Sequence, residues 1–448
     1  MTHLRQTKNN HHQEPALTPN PGSPGIVGRL FRKASKIEPH EIKATVVAFG
    51  FVFLLMGSYY ILRPVRDAMA SDWTDTEVSF LWNINFFISA GIVAFYGLAI
   101  SRVKFKYVVP SVYLFFAGSF ITFYLGVAAF ADRDLIDKAF YVWVSVFSLF
   151  HVSVFWSFMA DTFSKEQAER LFAAIAAGAS LGAIVGPAIP ALFAQWLGVD
   201  TLMLIASVGL LLVVPLVFYI YYLKKTELHN EEVGADLSAA KMGGSWWKGF
   251  QAFVANPYLL GIGVFILLYV FIGSFVYFEQ KNLLAEYSRA ERTEILGSID
   301  WLVNVLTFGI AFFATGRIVK RWGMPVTLAL IPLCVVAGLL VLAFAPIITV
   351  LLALQVARRS GNYAVTRPAR EMLFTQVTQE ERFKAKPVVD IVVYRGGDAV
   401  SGTLFALLTD GIGLGLAAVA LVGSGVAAVW AWVGVRLGRR FEAKSEAS

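Results

Sequence analysis

Apolar stretches of about 20 residues recur along the chain at 44–63, 80–100, 107–130, 139–160, 171–193 and 202–223. They return at 258–278, 296–316, 324–345, 347–372, 388–408 and 413–436. A bilayer core of ~30 Å takes about 20 apolar residues per helical crossing, so the pattern predicts an all-α membrane protein of twelve transmembrane helices. A polar stretch, 224–256, carries Lys224, Lys225, Glu231, Glu232, Lys241 and Lys248 and parts the spans into six and six. The expected organisation is a six-helix half at 44–223, a cytoplasmic linker at 224–256, a second six-helix half at 257–436, and tails at 1–43 and 437–448.

The halves read as weak repeats. Gly57-Ser58-Tyr59 to Arg63 aligns with Gly273-Ser274-Phe275 to Glu279, and Ser101-Arg102-Val103 to Pro110 aligns with Gly316-Arg317-Ile318 to Pro325. Both alignments need a shift of about 215 residues. Duplicated halves with a substrate site between them near the midplane are a common plan of secondary transporters. Lys and Arg of the short loops, among them Arg102, Lys104, Lys106, Lys165, Arg170, Arg317, Lys320, Arg321, Arg382, Lys384 and Lys386, fall on one side. On the other side Arg133, Lys138, Lys281, Arg289 and Arg292 are offset by neighbouring acids, so both termini are expected in the cytoplasm.

Only 15% of the residues are charged and 57% are hydrophobic, with a mean hydropathy of +0.63, whereas a soluble domain carries roughly 25% charged residues. The net charge of +7 lies in short inter-span segments and tails, a distribution suited to anionic lipid headgroups rather than nucleic acid. The first forty residues hold Pro15, Pro19, Pro21 and Pro24 and lack the order of a cleaved signal, so a disordered tail is expected. Within it, 26–37 alternates apolar and basic residues, as either an amphipathic surface helix or a solvated basic leader. The lone Cys334 excludes an internal disulfide and reads as core filler, and His3, His11 and His12 are too loosely placed for a metal site. No catalytic group, metal site or cofactor is expected.

Charged residues inside the spans carry the functional signal, because each costs at least ~2.5 kcal/mol on insertion scales. Arg63 and Arg66 close the first span, Arg358 and Arg359 sit near the middle of the tenth with Arg367 and Arg370 beyond, and Arg395 is in the eleventh. The guanidinium fork stays charged and meets carboxylate or phosphate in two contacts, which favours an anionic substrate. The competing reading is permanent neutralisation: Asp390, Tyr394 and Asp398 share a helical face, and Asp398 lies about 15 Å in, near the depth of Arg358 and Arg359. Arg63 and Glu279, at repeat-related outer ends of spans, form either an outer gate between the halves or two side chains snorkelling separately. His151 in the fourth span is either a proton relay or a buried, hydrogen-bonded histidine, and Asp300 with Asn304 in the eighth takes a cation or proton or simply packs. Gly178-Ala179-Ser180-Leu181-Gly182 fits a nucleophile elbow but has no preceding strand; Gly178, Gly182 and Gly186 instead let a neighbouring helix approach. With no phosphate-binding loop of the G-x-x-x-x-G-K-[ST] type, ATP hydrolysis is excluded as the motor.

The turn Gly316-Arg317-Ile318-Val319-Lys320-Arg321-Trp322-Gly323 and its partner around Arg102 resemble the loop motif of the major facilitator superfamily. Three further stretches resemble its bacterial ATP:ADP, or NTP/NDP, exchange-like branch, over essentially all twelve spans. They are Tyr59-Tyr60-Ile61-Leu62-Arg63-Pro64-Val65-Arg66-Asp67, Phe155-Trp156-Ser157-Phe158-Met159-Ala160-Asp161, and the run from Arg358-Arg359-Ser360-Gly361-Asn362-Tyr363 through Arg367-Pro368-Ala369-Arg370-Glu371 to Tyr394-Arg395-Gly396-Gly397-Asp398. The resemblance implies a fold and, more loosely, a substrate. Arg66 stands where nucleotide translocases carry lysine, the fourth-span glutamate has no counterpart in 141–155, and Glu279-Gln280-Lys281 matches the seventh-span pattern imperfectly.

Together these expectations describe a monomeric secondary transporter of a bacterial cytoplasmic (inner) membrane, with membrane lipids as neighbours and no enzymatic activity. It moves an organic anion, with a nucleotide or phosphorylated metabolite leading. The alternatives are proton-coupled transport of a drug or siderophore-like solute, and a non-transporting scaffold or sensor. The substrate is expected at Tyr59, Tyr60, Arg63, Arg66, Arg358, Arg359, Asn362 and Tyr394, and gating or coupling at Asp67, Asp161, Glu279, Asp300 and Asp398.

Overall fold

Helix signals in the sequence fix where several spans begin or end. Asp132 caps the fourth span by accepting from the Leu135 amide at 3.2 Å, and Ser164 with Gln167 forms a reciprocal capping box at the fifth. Gly198, at φ +79°, turns the chain from the fifth span into the sixth, a backbone conformation that favours glycine. Asn256 caps the seventh span ahead of Pro257, accepting from the Tyr258 and Leu259 amides. A computed structural model describes residues 37–102, 105–129, 132–230, 251, 253–313, 315–377 and 388–446. The amphipathic segment 26–37, apart from Ile37, and most of the central linker lie outside the described residues, as does Lys241.

The chain forms twelve spans. The first six are Ile42–Met69, Asp75–Arg102, Phe105–Ala129, Arg133–Thr162, Lys165–Leu197 and Val199–Thr226. The seventh to ninth are Pro257–Leu284, Arg289–Phe313 and Thr315–Phe344, and the twelfth is Leu416–Glu446. The tenth runs as Ile348–Gly361, a π-helical turn at Asn362–Thr366, and Arg367–Leu373; the eleventh begins as π-helix over Val388–Gly396 and continues as Gly397–Ala406. By length and apolarity alone, nine helices among the described residues qualify as crossings; the second, tenth and eleventh complete the set. Phe115, Leu192, Trp196 and Phe344 point outward and are more than half exposed, which a bilayer accommodates and water does not.

The two halves repeat one another's packing. The first span lies on the fifth and sixth and the third on the sixth; in the second half the seventh lies on the eleventh and twelfth and the ninth on the twelfth. Contacts between the halves are also paired: fifth with eighth, and eleventh with second. That is the relation expected when duplicated halves sit about an axis along the membrane normal. Close approach is built with glycine. A Cβ at Gly178 would lie 2.5 Å from the Phe49 carbonyl oxygen and one at Gly186 2.6 Å from that of Gly57, so the fifth span presses on the first along the expected glycine row. Across the halves, a Cβ at Gly297 of the eighth span would meet the Ala191 amide nitrogen at 2.8 Å.

Two expectations are corrected here. The first span does not end at Arg63 but runs on to Met69 as unbroken helix, because Arg63, Arg66 and Asp67 face the space between the halves and need no retreat to the membrane surface. Cys334 is exposed on the outer face of the ninth span rather than filling the core.

Candidate functional site

Between the halves lies a cavity of about 430 Å³, within the size range of small-molecule sites. Helical spacing places Tyr59, Tyr60, Arg63, Arg66 and Asp67 of the first span on its wall. The tenth span supplies Gln355, Arg358, Arg359 and Tyr363 just at its α-to-π transition, and the eleventh supplies Tyr394, Arg395 and Asp398 at its own. Aromatic rings from the second, fourth and seventh spans close the remainder: Trp82 donates to the Tyr141 hydroxyl at 2.7 Å, and the Tyr141 and Tyr277 hydroxyls are 2.9 Å apart.

The charges are unevenly compensated. Arg66 donates to Asp67 Oδ1 from Nε (2.9 Å) and Nη2 (2.6 Å) and to Ser145 Oγ at 3.2 Å. Arg359 Nη1 meets Asp300 Oδ1 at 2.6 Å, and Arg63 Nη1 reaches the same oxygen at 3.5 Å. Arg63 Nε also lies 3.7 Å from Asp67, and Arg395 stands 3.9 Å from Asp398. Arg358 alone among these has no carboxylate within ion-pair distance among the described residues. It donates to Gln355 Oε1 from Nε (3.2 Å) and Nη2 (2.6 Å), and its guanidinium lies 5.9 Å from the Tyr269 ring. Gln355 in turn is held by Gln280 at 2.7 Å. A buried guanidinium next to an amide and a ring, with no acid, is a site prepared for an anion.

A sequence profile of the Major Facilitator Superfamily matches residues 47–377. The chain belongs to that superfamily. It is 21% identical to "ADP,ATP carrier protein 1" of Chlamydia pneumoniae, an alignment that covers 93% of this chain and 95% of the carrier. It is 22% identical to "ADP,ATP carrier protein 2" of Chlamydia trachomatis over 66% of this chain, and spans 63% of that carrier's length. Among solved structures, the nucleoside transporter NupG superposes with a TM-score of 0.57 at 13% identity, covering 89% of this chain and 99% of NupG. A POT family transporter in complex with 5-aminolevulinic acid gives 0.59 at 13% identity, covering 89% and 96%. The chain is therefore a multi-pass membrane transporter of a small molecule, not an enzyme.

The facilitator cavity gathers most of the expected residues: Tyr59, Tyr60, Arg63, Arg66, Arg358, Arg359, Tyr394, Asp67 and Asp398 all line it. Asp300 stands behind, touching it through Arg63 and Arg359, while Asn304 donates to the Asp300 carbonyl at 2.8 Å. Tyr394 accepts from Arg370. Asn362 is buried in the π-helical turn without lining the cavity. Asp161 is elsewhere, paired with Lys224 at 2.9 Å near the end of the bundle where the first span begins.

The expected Arg63–Glu279 pair does not form. Arg63 turns to Asp67 and Asp300, while Glu279 is 1% exposed with neither oxygen hydrogen-bonded among the described residues. Asp398 pairs loosely within its own span rather than with Arg358 or Arg359, because the π-helical turn changes the spacing on which a shared face was read. His151 is buried and stacked on Tyr59, with ring centroids 4.4 Å apart. Tyr141, Tyr269, Tyr277, Tyr363 and Trp82 were not expected at the site; their signal is a polar-tipped ring on the arginine-bearing faces of apolar spans.

A second constellation closes the opposite, distal end of the bundle, where the first span finishes. Asp72 accepts from Arg289 and Arg292 of the other half, each at 2.5 Å, and Asp137 accepts from Arg289 at 2.6 Å. Lys281 meets Asp75 at 2.7 Å and donates to the Trp73 carbonyl, and Asp410 accepts from Thr76. These bases are not simply offset by sequence neighbours: Lys281, Arg289 and Arg292 join one half to the other. Among the described residues, the hydrogen bonds and ion pairs between the halves lie in this distal half of the bundle. At the other end, where the first span begins, Glu41–Arg170, Lys43–Glu227 and Asp161–Lys224 each stay within the first half.

Proposed function

We propose that this facilitator moves an organic anion, foremost a nucleotide or other phosphorylated metabolite, across a bacterial cytoplasmic membrane by alternating access, acting as a monomer with both termini in the cytoplasm. In this reading 44–223 and 257–436 are the rocking halves and 224–256 the cytoplasmic linker, and the closed distal end faces outward. The observation that carries it is Arg358: a guanidinium buried at the junction of the halves, on the wall of the cavity, with no acid beside it among the described residues. The ADP,ATP carrier relatives agree with an anionic cargo. Arginine exchanges water for a phosphate or carboxylate in paired contacts, so loss of one such contact weakens binding about tenfold or more. Purified Arg358→Ala and Arg359→Ala should insert and remain monodisperse while losing thermal stabilisation by nucleotides and phosphorylated sugars. Wild-type binding by both variants would make these arginines structural and remove the main support for an anion.

Glu279, buried without a hydrogen-bond partner among the described residues, and the buried His151 favour one second reading: proton-coupled transport of a drug or siderophore-like solute. Substrate-induced proton flux into proteoliposomes, without counter-exchange, separates it from anion exchange.

A further inference from the structure

Five guanidinium groups line the cavity, and three carboxylates answer them: Asp67, Asp398 and, from behind, Asp300. Arg66 is satisfied by Asp67 and Arg395 faces Asp398. The excess of two positive charges is thus concentrated on one wall, where Arg63 and Arg359 share a single oxygen of Asp300 and Arg358 has no carboxylate. Arg359 Nε and Nη2 are enclosed behind this wall without a hydrogen-bond partner among the described residues, so its charge is answered by Asp300 alone. Much of the remaining lining is aromatic, and several of its rings are fixed: Tyr59 is stacked against His151, and the Trp82–Tyr141–Tyr277 hydrogen-bond chain holds three more.

We infer that the cavity selects a dianion carrying a planar ring, of the aromatic phosphate-monoester class, over di- and triphosphates. This rests on the anionic reading above and narrows it. Uncompensated charge inside a bilayer is costly, so an occupied cavity moves most easily when guest and walls sum to neutrality. A dianion meets that condition; a diphosphate overshoots by one charge and a triphosphate by two. The three guanidiniums supply more donors than a carboxylate pair spaced along a chain would use at one point, and they match the three oxygens of a terminal phosphate. The rings offer stacking faces that a bare sugar phosphate leaves unused.

A charge ladder on one base tests this with the full-length wild-type chain in nanodiscs, free of magnesium. Adenosine is neutral, and at pH 8 cyclic AMP, AMP, ADP and ATP carry about one, two, three and four negative charges. Calorimetric affinity should peak at AMP, exceeding both cyclic AMP and ATP by about tenfold or more, with adenosine weakest. Ribose 5-phosphate, with the same phosphate but no ring, should bind about tenfold more weakly than AMP. Asp300→Asn adds one positive charge to the wall and should move the ADP-to-AMP affinity ratio about tenfold toward ADP. An affinity that climbs from AMP to ATP overturns the inference while leaving the anionic reading intact, and ribose 5-phosphate binding as tightly as AMP overturns its aromatic part. If none of the anions binds, the anionic reading itself falls.

Discussion

Asp72 is the point at which the distal closure is most exposed to perturbation, because one carboxylate holds two guanidiniums from the opposite half. Arg289 donates to it from Nη2 (2.5 Å) and Nε (3.0 Å), and Arg292 from Nη1 (2.5 Å). In Asp72→Asn, Arg289 keeps Asp137 at 2.6 Å. Arg292 keeps the Leu284 and Ala285 carbonyls, at 3.0 and 2.8 Å, but loses its only carboxylate among the described residues. The Arg292 side chain is 8% exposed and that of Asp72 32%, so the pair is neither fully buried nor free in water. Breaking a buried pair costs ~3–5 kcal/mol and an exposed one ~0–1, which puts this change at about 2 kcal/mol. These contacts join the halves only in the distally closed arrangement, so that energy is differential between two states and shifts their ratio roughly 30-fold toward opening.

Spin labels at Trp196→Cys and Ile412→Cys in a Cys334→Ala background read this directly. Both positions are exposed, and they mark the distal ends of the first and second halves. Asp72→Asn should add a longer inter-label distance to the distribution. Asp200→Asn is the control: it breaks a hydrogen-bonded ion pair, Arg133–Asp200 at 2.8 Å, but within the first half and with side chains 43% and 36% exposed. Identical distributions for wild type and Asp72→Asn would refute the assignment of these ion pairs as the closure between the halves.

Gly186→Ala should lower the thermal midpoint by an amount equivalent to about 1–3 kcal/mol of overpacking, because its Cβ would sit 2.6 Å from a carbonyl oxygen of the first span; Gly50→Ala, with nothing within 4 Å, should not. Glu279→Met should raise the midpoint by removing a buried carboxyl without partners, worth about 1–3 kcal/mol, and a fall instead would reveal that the carboxyl is satisfied. Cysteine at Lys241 in the Cys334→Ala background should be protected from an impermeant thiol reagent in intact cells, and labelling without permeabilisation would invert the proposed orientation.

Apolar runs expose the crossings because the cost of unsatisfied backbone in lipid leaves the chain few choices. The ends of the crossings are less legible: charge at Arg63 and Arg66 reads as the edge of the bilayer, yet the helix carries both residues onward beside a polar cavity that no local pattern reveals. The arginines were found from their cost, whereas Tyr269, Tyr277 and Trp82 were missed because a ring with one polar atom counts as apolar until its partner is known. The failed gate marks the limit most sharply. The repeat correctly places Arg63 and Glu279 on equivalent helices of the two halves, and so at similar depth. Equivalent helices, however, are related by the axis between the halves and face one another across the space it encloses; contact is made by non-equivalent ones. The first span therefore packs on the eighth, and Arg63 finds Asp300 there. A repeat read from sequence fixes how deep a charge lies, while its partner depends on which spans the symmetry brings into contact.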